Sequence, residues 1–344
     1  MTGRPTISLL MLLPLSITLL SCNNGSRVIR QQIFFRMDTM VEATISVPPR
    51  YNPAPLWRSI DSLLTQCEKR FSASGDSSEI KAVNTRTSSA LPISIQLGEI
   101  LRTGIDYGDT LDGAFDITVL PLKELWGLCE QCGDSVSTPA PAIQPPDSAS
   151  VSAALRSVGY KKIRLNAAAD SVFFDSAGTR VDVGGIAKGF VVKRLGALLK
   201  DRGIDDFLIS AGGDIVSYGR KPDGAPWRIG VRHPRRPGEL IDAIPINAEA
   251  VFTSGDYERM RQGADGRRYH HIFDPATGYP CGRNQSLTVK TPDPVRADIL
   301  STGLFCREPE DILDFINARP NAECLIVDST GTSFKSSGWF RLSF

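Results

Sequence analysis

Neither sign of charge dominates this chain: 39 Lys and Arg stand against 38 Asp and Glu across 344 residues, a formal net charge of +1. That balance excludes a general nucleic-acid binder, whose domain carries a clear basic excess. No self-similarity recurs with a period of about 20–50 residues, which excludes solenoids and propellers. The G-x-x-x-x-G-K-[ST] and G-x-G-x-x-G signatures are both absent, so neither standard phosphate loop is available. Histidine is scarce, with three in the chain. What remains, 41% hydrophobic and 22% charged, is the mixture of an ordinary globular protein, long enough to bury a core without disulfides.

The N-terminal apolar run is also too short to span a membrane. Ile7 to Leu20 is 14 residues, against the roughly 20 that a spanning helix needs. With Arg4 ahead of it, the run reads as the h-region of a signal peptide covering residues 1–21. It ends in Leu19-Leu20-Ser21-Cys22, which resembles a bacterial lipoprotein cleavage box, with Cys22 as the acylated first residue. Plain secretion is the alternative. Residues 22–30 then form a tether, and 31–344 form the folded body. The expected location is the cell envelope, either lipid-anchored on the outer face of the inner membrane or periplasmic. The other six cysteines are scattered. Cys129 and Cys132 make a lone C-x-x-C, better suited to a local disulfide than to half a zinc site. Cys67 and Cys306 fall in amphipathic helical stretches as core residues.

Periodicity predicts strands and helices without strict β-α-β alternation. The fold class is therefore α+β, with mixed or antiparallel sheets packed against helices in one large domain. Helices are predicted over Leu56–Arg70, Ile93–Gly108, Ser148–Val158, Ile186–Lys200, Val295–Cys306 and Glu310–Ala318. Early strands are predicted at Val41–Val47 and near Ile163, Val172 and Arg180. Later ones fall at Phe207–Ser210, Ile215–Tyr218, Trp227–Arg232, Ala243–Ile246, Ala250–Thr253, Tyr269–Asp274, Ser286–Val289, Cys324–Val327 and Ser333–Lys335. The Pro- and Ser-rich segment 134–150 reads as a surface excursion.

Chemistry concentrates in four segments. Asp182-Val183-Gly184-Gly185-Ile186-Ala187-Lys188-Gly189 sets a carboxylate, two glycines and a lysine at a helix start, where N–H groups attract anions. Asp298 and Thr302, spaced i and i+4, share one helical face and offer a hard cation a carboxylate and a hydroxyl. Tyr269-His270-His271-Ile272-Phe273-Asp274-Pro275 holds two of the three histidines. In a strand they would point opposite ways, one into a cleft and one into the core. Asp112-Gly113-Ala114-Phe115-Asp116 leaves room for a flat ligand. Each segment also has a structural reading: a tight turn, a capping carboxylate, a satisfied buried histidine, or a strand entering a helix.

Taken in order, the motifs resemble those of the ApbE-type FAD:protein FMN transferase family. The resemblance runs through Met37-Asp38-Thr39, Phe71-Ser72, Ser78-Glu79-Ile80 with Asn84, Gly113 to Gly127, Asp182 to Gly189 and Gly212-Gly213-Asp214. It continues through Thr253-Ser254-Gly255, His271 to Gly278 and Ala297 to Thr302. It implies Mg²⁺-dependent transfer of FMN from FAD to a threonine hydroxyl of a partner protein, with release of AMP. Gly185, Asp298 and Thr302 would hold Mg²⁺. Met37, Ala114, Phe115, Asp116, Asp182, Lys188 and Ile272 would contact FAD. His271 would accept or position the threonine proton, and Asp298 is counted with it as catalytic. The acceptors would be membrane redox subunits bearing a threonine flavinylation motif. FAD hydrolysis to FMN and AMP, or flavin binding without catalysis, are the alternatives. Two departures accompany the match: Asp38 replaces the usual glycine, and Ala73-Ser74-Gly75 lacks the aromatic that follows Phe-Ser in many members.

Overall fold

An eight-stranded antiparallel sheet organises the protein, in the order β1-β2-β6-β7-β10-β13-β14-β15. Its strands are β1 (Val28–Arg36), β2 (Thr39–Val47), β6 (Phe207–Ala211), β7 (Asp214–Tyr218), β10 (Ala250–Gly255), β13 (Asn284–Thr291), β14 (Glu323–Asp328) and β15 (Ser333–Lys335). This is a computed structural model, and it describes residues 26–73, 75, 78–129 and 142–340. The signal peptide, Cys22, Ser74, Cys132 and residues 134–141 of the excursion lie outside the described residues.

One sheet face is packed by helices. In α1 (Ala54–Phe71) the apolar positions Leu56, Ile60, Leu64, Cys67 and Phe71 recur every three or four residues and all are buried, the stripe that the sequence predicts. Helices α6 (Ala187–Asp201), α7 (Pro294–Gly303) and α8 (Pro309–Asn317) complete that layer. The helices α3 (Ile95–Thr110), capped by Ser94, and α2 (Glu79–Asn84), capped by Ser78, join the same core. The hairpin of β8 (Trp227–Arg232) and β9 (Leu240–Ile246) covers the other face, where Trp227, Ile229, Ile244 and Ile246 meet Val251, Leu325 and Val327. Central strands are thus buried on both sides, which is why β14, with Cys324-Leu325-Ile326-Val327, reads as a continuous apolar run rather than an alternating one. A third cluster gathers around α4 (Leu120–Leu125) and α5 (Ser148–Leu155). β3 (Ala90–Pro92), β5 (Ser171–Phe174) and β4 (Ile163–Leu165) form a small side sheet, and β11 (Arg261–Gln262) pairs with β12 (Arg268–Tyr269). Among the described residues no helix is long and apolar enough to cross a membrane.

Five expectations change. The tether does not extend to residue 30, because β1 begins at Val28; its sequence Val-Ile-Arg-Gln-Gln-Ile-Phe-Phe-Arg hides the strand by mixing polar and apolar residues on both faces. Arg180 lies in a loop. The predicted strand over Tyr269–Asp274 stops at Tyr269. Segment 134–150 is not all surface: Ile143 is buried and bridges to Gly263, while α5 starts at Ser148 as expected, behind an Asp147 cap. Cys306 is not a free core residue. It lies just past α7 in a disulfide with Cys281, with Cα atoms 5.2 Å apart. Cys129 is disulfide-bonded too, whereas Cys67 and Cys324 are buried thiols.

Candidate active site

One cavity of about 360 Å³ is lined by every site residue that the sequence singles out: Met37, Ala114, Phe115, Asp116, Asp182, Gly185, Lys188, His271, Ile272, Asp298 and Thr302. That volume falls within the roughly 300–1,000 Å³ range of small-molecule sites. Two hairpin tips form one rim. Met37 and Asp38 both have φ of +55° and join β1 to β2 with Arg36 opposite Thr39, the pattern of a type I′ turn. Asp38 therefore occupies the left-handed conformation that a glycine would take without strain. Gly212 (φ +62°) and Gly213 (φ +97°) make the neighbouring two-residue turn from β6 to β7. A Cβ on Gly212 would lie 2.7 Å from the Thr39 hydroxyl, so the tips pack only because it has none.

The wall built by α6, α7 and β7 is rich in carboxylates. Asp298 is buried, and its Oδ2 accepts the Gly189 N–H at 2.8 Å. Burial, helped by the Asp214 carboxylate, pushes the Asp298 pKa up against the pull of Lys188. Lys188 is ion-paired with the buried Asp214, whose other oxygen accepts the Thr253 N–H at 2.9 Å. Burial opposes the Lys188 charge, but Asp214, Asp298 and Glu258 outweigh it and hold its pKa above the usual lysine range. The Thr302 hydroxyl lies 3.2 Å from Ser254 Oγ. A Cβ on Gly185 would meet that same hydroxyl at 3.2 Å and the Phe115 ring at 3.1 Å. Thr302 and Asp298 thus line the cavity beside Gly185 with a hydroxyl and a carboxylate, oxygen donors of the kind a small hard cation takes. They are not a cluster of three His, Cys, Asp or Glu ligands, and none occurs among the described residues.

A second stretch of the lining is cationic. Lys123 in α4 pairs with Asp182 at 2.5 Å. Burial works against the Asp182 charge, yet Lys123 and the Gly184 N–H hold its carboxyl below the usual range. Arg259, with φ of +45°, lines the same wall. His271 Nδ1 lies 3.0 Å from the Glu258 carbonyl oxygen. A carbonyl can only accept, so Nδ1 carries the proton and Nε2 keeps its lone pair. Burial, then the charges of Lys123 and Arg259, keep the His271 pKa well below its ordinary value. The imidazole is neutral at physiological pH and competent to take a proton.

The two adjacent histidines separate as the sequence allows, although a turn rather than a strand divides them. His270 is buried, with Nε2 donating to the Cys281 carbonyl at 2.6 Å and Nδ1 accepting the Ile272 N–H at 3.3 Å. Both nitrogens are used, so its role is to hold the loop. Asp116 is similarly committed: it accepts from Thr118 N at 2.7 Å and from Tyr160 N at 2.9 Å. It shapes the cavity wall through the loop it fixes. Sequence reasoning missed Lys123, Glu258 and Arg259, and named Asp214 only within a motif, without a role. Lys123 carried a faint signal, a lone cation within the apolar Leu120–Leu125 run, and Asp214 directly follows the Gly212-Gly213 pair.

A model of the ApbE family matches residues 37–326. The chain is similar to the FAD:protein FMN transferase of Escherichia coli K12, 29% identical over 288 residues that cover 83% of this chain and 77% of that protein. It is also similar to the FAD:protein FMN transferase of Vibrio cholerae, at 32% identity over 283 residues and 81% of each. Among solved structures, the ApbE protein of Thermotoga maritima superposes with a TM-score of 0.81 at 31% identity, covering 91% of this chain and 100% of that one. The flavin transferase ApbE from Vibrio cholerae does so at 0.79 and 27%, covering 91% and 98%.

Proposed function

The chain belongs to the ApbE family, and on that premise we propose that it is an FAD:protein FMN transferase. The observation that carries the chemistry is the pairing across one cavity of a neutral His271, its Nε2 bare, with the oxygen-rich wall of Gly185, Asp298 and Thr302. In the reaction a hydroxyl of the acceptor, which we take to be threonine, attacks the FMN-side phosphorus of the FAD pyrophosphate. The bond from that phosphorus to the bridging oxygen breaks, and AMP leaves with the oxygen. His271 Nε2 takes the hydroxyl proton, and Lys123 and Arg259 face the phosphate charge from the same wall. Gly185, Asp298 and Thr302 would hold Mg²⁺, which when bound neutralises the pyrophosphate oxygens. Phe115 and Ile272 supply apolar surface for the flavin nucleotide.

We also read the protein as exported and lipid-anchored through Cys22, with membrane redox subunits as its acceptors. Support comes from the apolar leader, and from the Cys281–Cys306 disulfide and the bonded Cys129, since disulfides persist in oxidising compartments. The deciding experiment incubates the protein with FAD, Mg²⁺ and a candidate acceptor. AMP and an FMN-sized addition on an acceptor threonine are expected by mass spectrometry. Free FMN and AMP alone would make it a hydrolase, and FAD bound without any AMP would make it a carrier.

A further inference from the structure

Strand β1 is an edge strand, and its two faces differ. Phe34 packs on Trp57 of α1, with ring centroids 6.4 Å apart. The other face exposes Ile29 (40%), Ile33 (48%) and Phe35 (71%), and Met40, directly opposite Phe35 on β2, is exposed by 53%. Alternation puts all four on one surface of the hairpin. The β8–β9 hairpin covers this side of the sheet farther in, around Leu208, Val251 and Leu325, and leaves β1 bare. Such a strip on an edge strand is an aggregation hazard unless something covers it.

The chain just ahead of the strand identifies the cover. Cys22 precedes Ile29 by seven residues, so an acylated Cys22 would keep the start of the strip within about 25 Å of the acyl chains even when fully extended. Arg30 and Arg36 fall on the opposite face of β1, with Phe34, where Arg36 pairs with Asp61 of α1. The strip side carries Glu42, directly opposite Ile33, so its fit to a bilayer is apolar and not electrostatic.

We infer that the β1–β2 hairpin lies on the membrane, with Ile29, Ile33, Phe35 and Met40 seated at the headgroup–acyl boundary. This rests on the reading of Cys22 as the lipid anchor, and it deepens the proposed function. The strip runs toward the Met37–Asp38 tip at the cavity rim, so docking holds the site beside the bilayer in which acceptor subunits sit.

The test is hydroxyl-radical footprinting of the full acylated chain on phosphatidylethanolamine–phosphatidylglycerol vesicles, read by peptide mass spectrometry. The reference is the Cys22→Ser protein in buffer. Labelling of Ile33, Phe35 and Met40 should fall severalfold on vesicles, while that of Ile95 and Phe173, exposed elsewhere, stays constant. Unchanged strip labelling overturns the inference, as does an N-terminal peptide lacking acyl mass. Strip labelling in the lipid-free Cys22→Ser protein that falls as protein concentration rises overturns it in favour of a second copy, and protection appearing only with an acceptor overturns it in favour of that partner. In the Ile33→Glu/Phe35→Glu variant, Ile29 and Met40 should label on vesicles as they do in buffer. AMP release from soluble FAD should match wild type. A wild type that makes no AMP would sink the transferase reading and leave the footprint just as informative.

Discussion

The two walls of the cavity are built from the same residue types and reach opposite electrostatic ends. On the α6–α7–β7 wall, Asp214 and Asp298 surround one lysine, and burial leaves Asp298 harder to ionise. On the α4 wall, Lys123 and Arg259 surround one aspartate, and His271 is harder to protonate. One stretch of the lining holds more carboxylates than cations and the other more cations than carboxylates. In the proposed reaction a pyrophosphate would meet the cations of the second, and a divalent ion would offset the carboxylates of the first.

Breaking the anionic wall should have the largest effect. Asp298→Asn keeps an oxygen to accept the Gly189 N–H and removes only the charge. AMP release at saturating FAD and Mg²⁺ should fall about 10²–10³-fold or more, with the unfolding midpoint nearly unchanged. Activity within tenfold of wild type would mean that this carboxylate is not at the phosphates, and the contrast between the walls would lose its catalytic meaning.

The walls are also joined covalently. Cys281 lies on the histidine side, where its N–H donates to the Ile272 carbonyl at 3.0 Å and its carbonyl accepts from His270. Cys306 follows α7, which carries Asp298 and Thr302. The bond closes a 25-residue separation, for which chain entropy gives roughly 3.5 kcal/mol. Replacing both cysteines by serine should lower stability by about 2–4 kcal/mol in chemical denaturation. It should also reduce turnover by more than FAD affinity, because the base and the oxygen-rich wall lose their fixed spacing. A variant that loses stability while keeping full turnover would show that the disulfide holds the fold and not the site.

A smaller effect comes from pH. Both histidines titrate below their ordinary pKa when folded, because burial disfavours their charge. The unfolded chain therefore binds more protons below about pH 6.5, so stability is full above that value and is lost as pH falls toward the folded pKa values. The loss is about 1.4 kcal/mol per histidine for each pH unit within that window. Asp298, whose carboxyl is pushed up to about 7 by burial, opposes that slope in the same window, so the histidine part is read by difference. Between pH 7 and 5 the metal-free wild type should lose more stability than His270→Asn, and equal losses would contradict a neutral buried His270.

These contrasts explain which parts were legible in the sequence. Helix stripes, caps and central strands are local and periodic, so α1, α3, α6, β13 and β14 could be read within a few residues. Lys188 could be seen at a helix start, but its partner Asp214 lies 26 residues away. The pairing exists only because the β6–β7 hairpin turns back beneath α6. Lys123 and Asp182 are 59 positions apart in the chain and meet only in the fold. His270 and His271 could be told apart by direction, but not by the partners that fix one and leave the other open. Charges set far apart along the chain decide the sign of each wall, and no sequence window contains them.

The gentlest test acts at the rim between the walls. Asp38 holds φ of +55° at the hairpin tip, a conformation that costs a non-glycine residue about 1–2 kcal/mol. Asp38→Gly relieves that strain, but the freer unfolded chain returns about 0.4–1 kcal/mol of it. Stability should therefore rise by less than about 1 kcal/mol. The clearer consequence is electrostatic, because Asp38 lines the cavity where a pyrophosphate would lie. Removing its carboxylate should lower the KM for FAD a few-fold and leave kcat nearly constant, since the group sits at the rim and not across from His271. An unchanged KM would place the FAD phosphates deeper, between Lys123 and Thr302. A fall in kcat would mean that the tip orders the reacting groups as well as admitting the substrate.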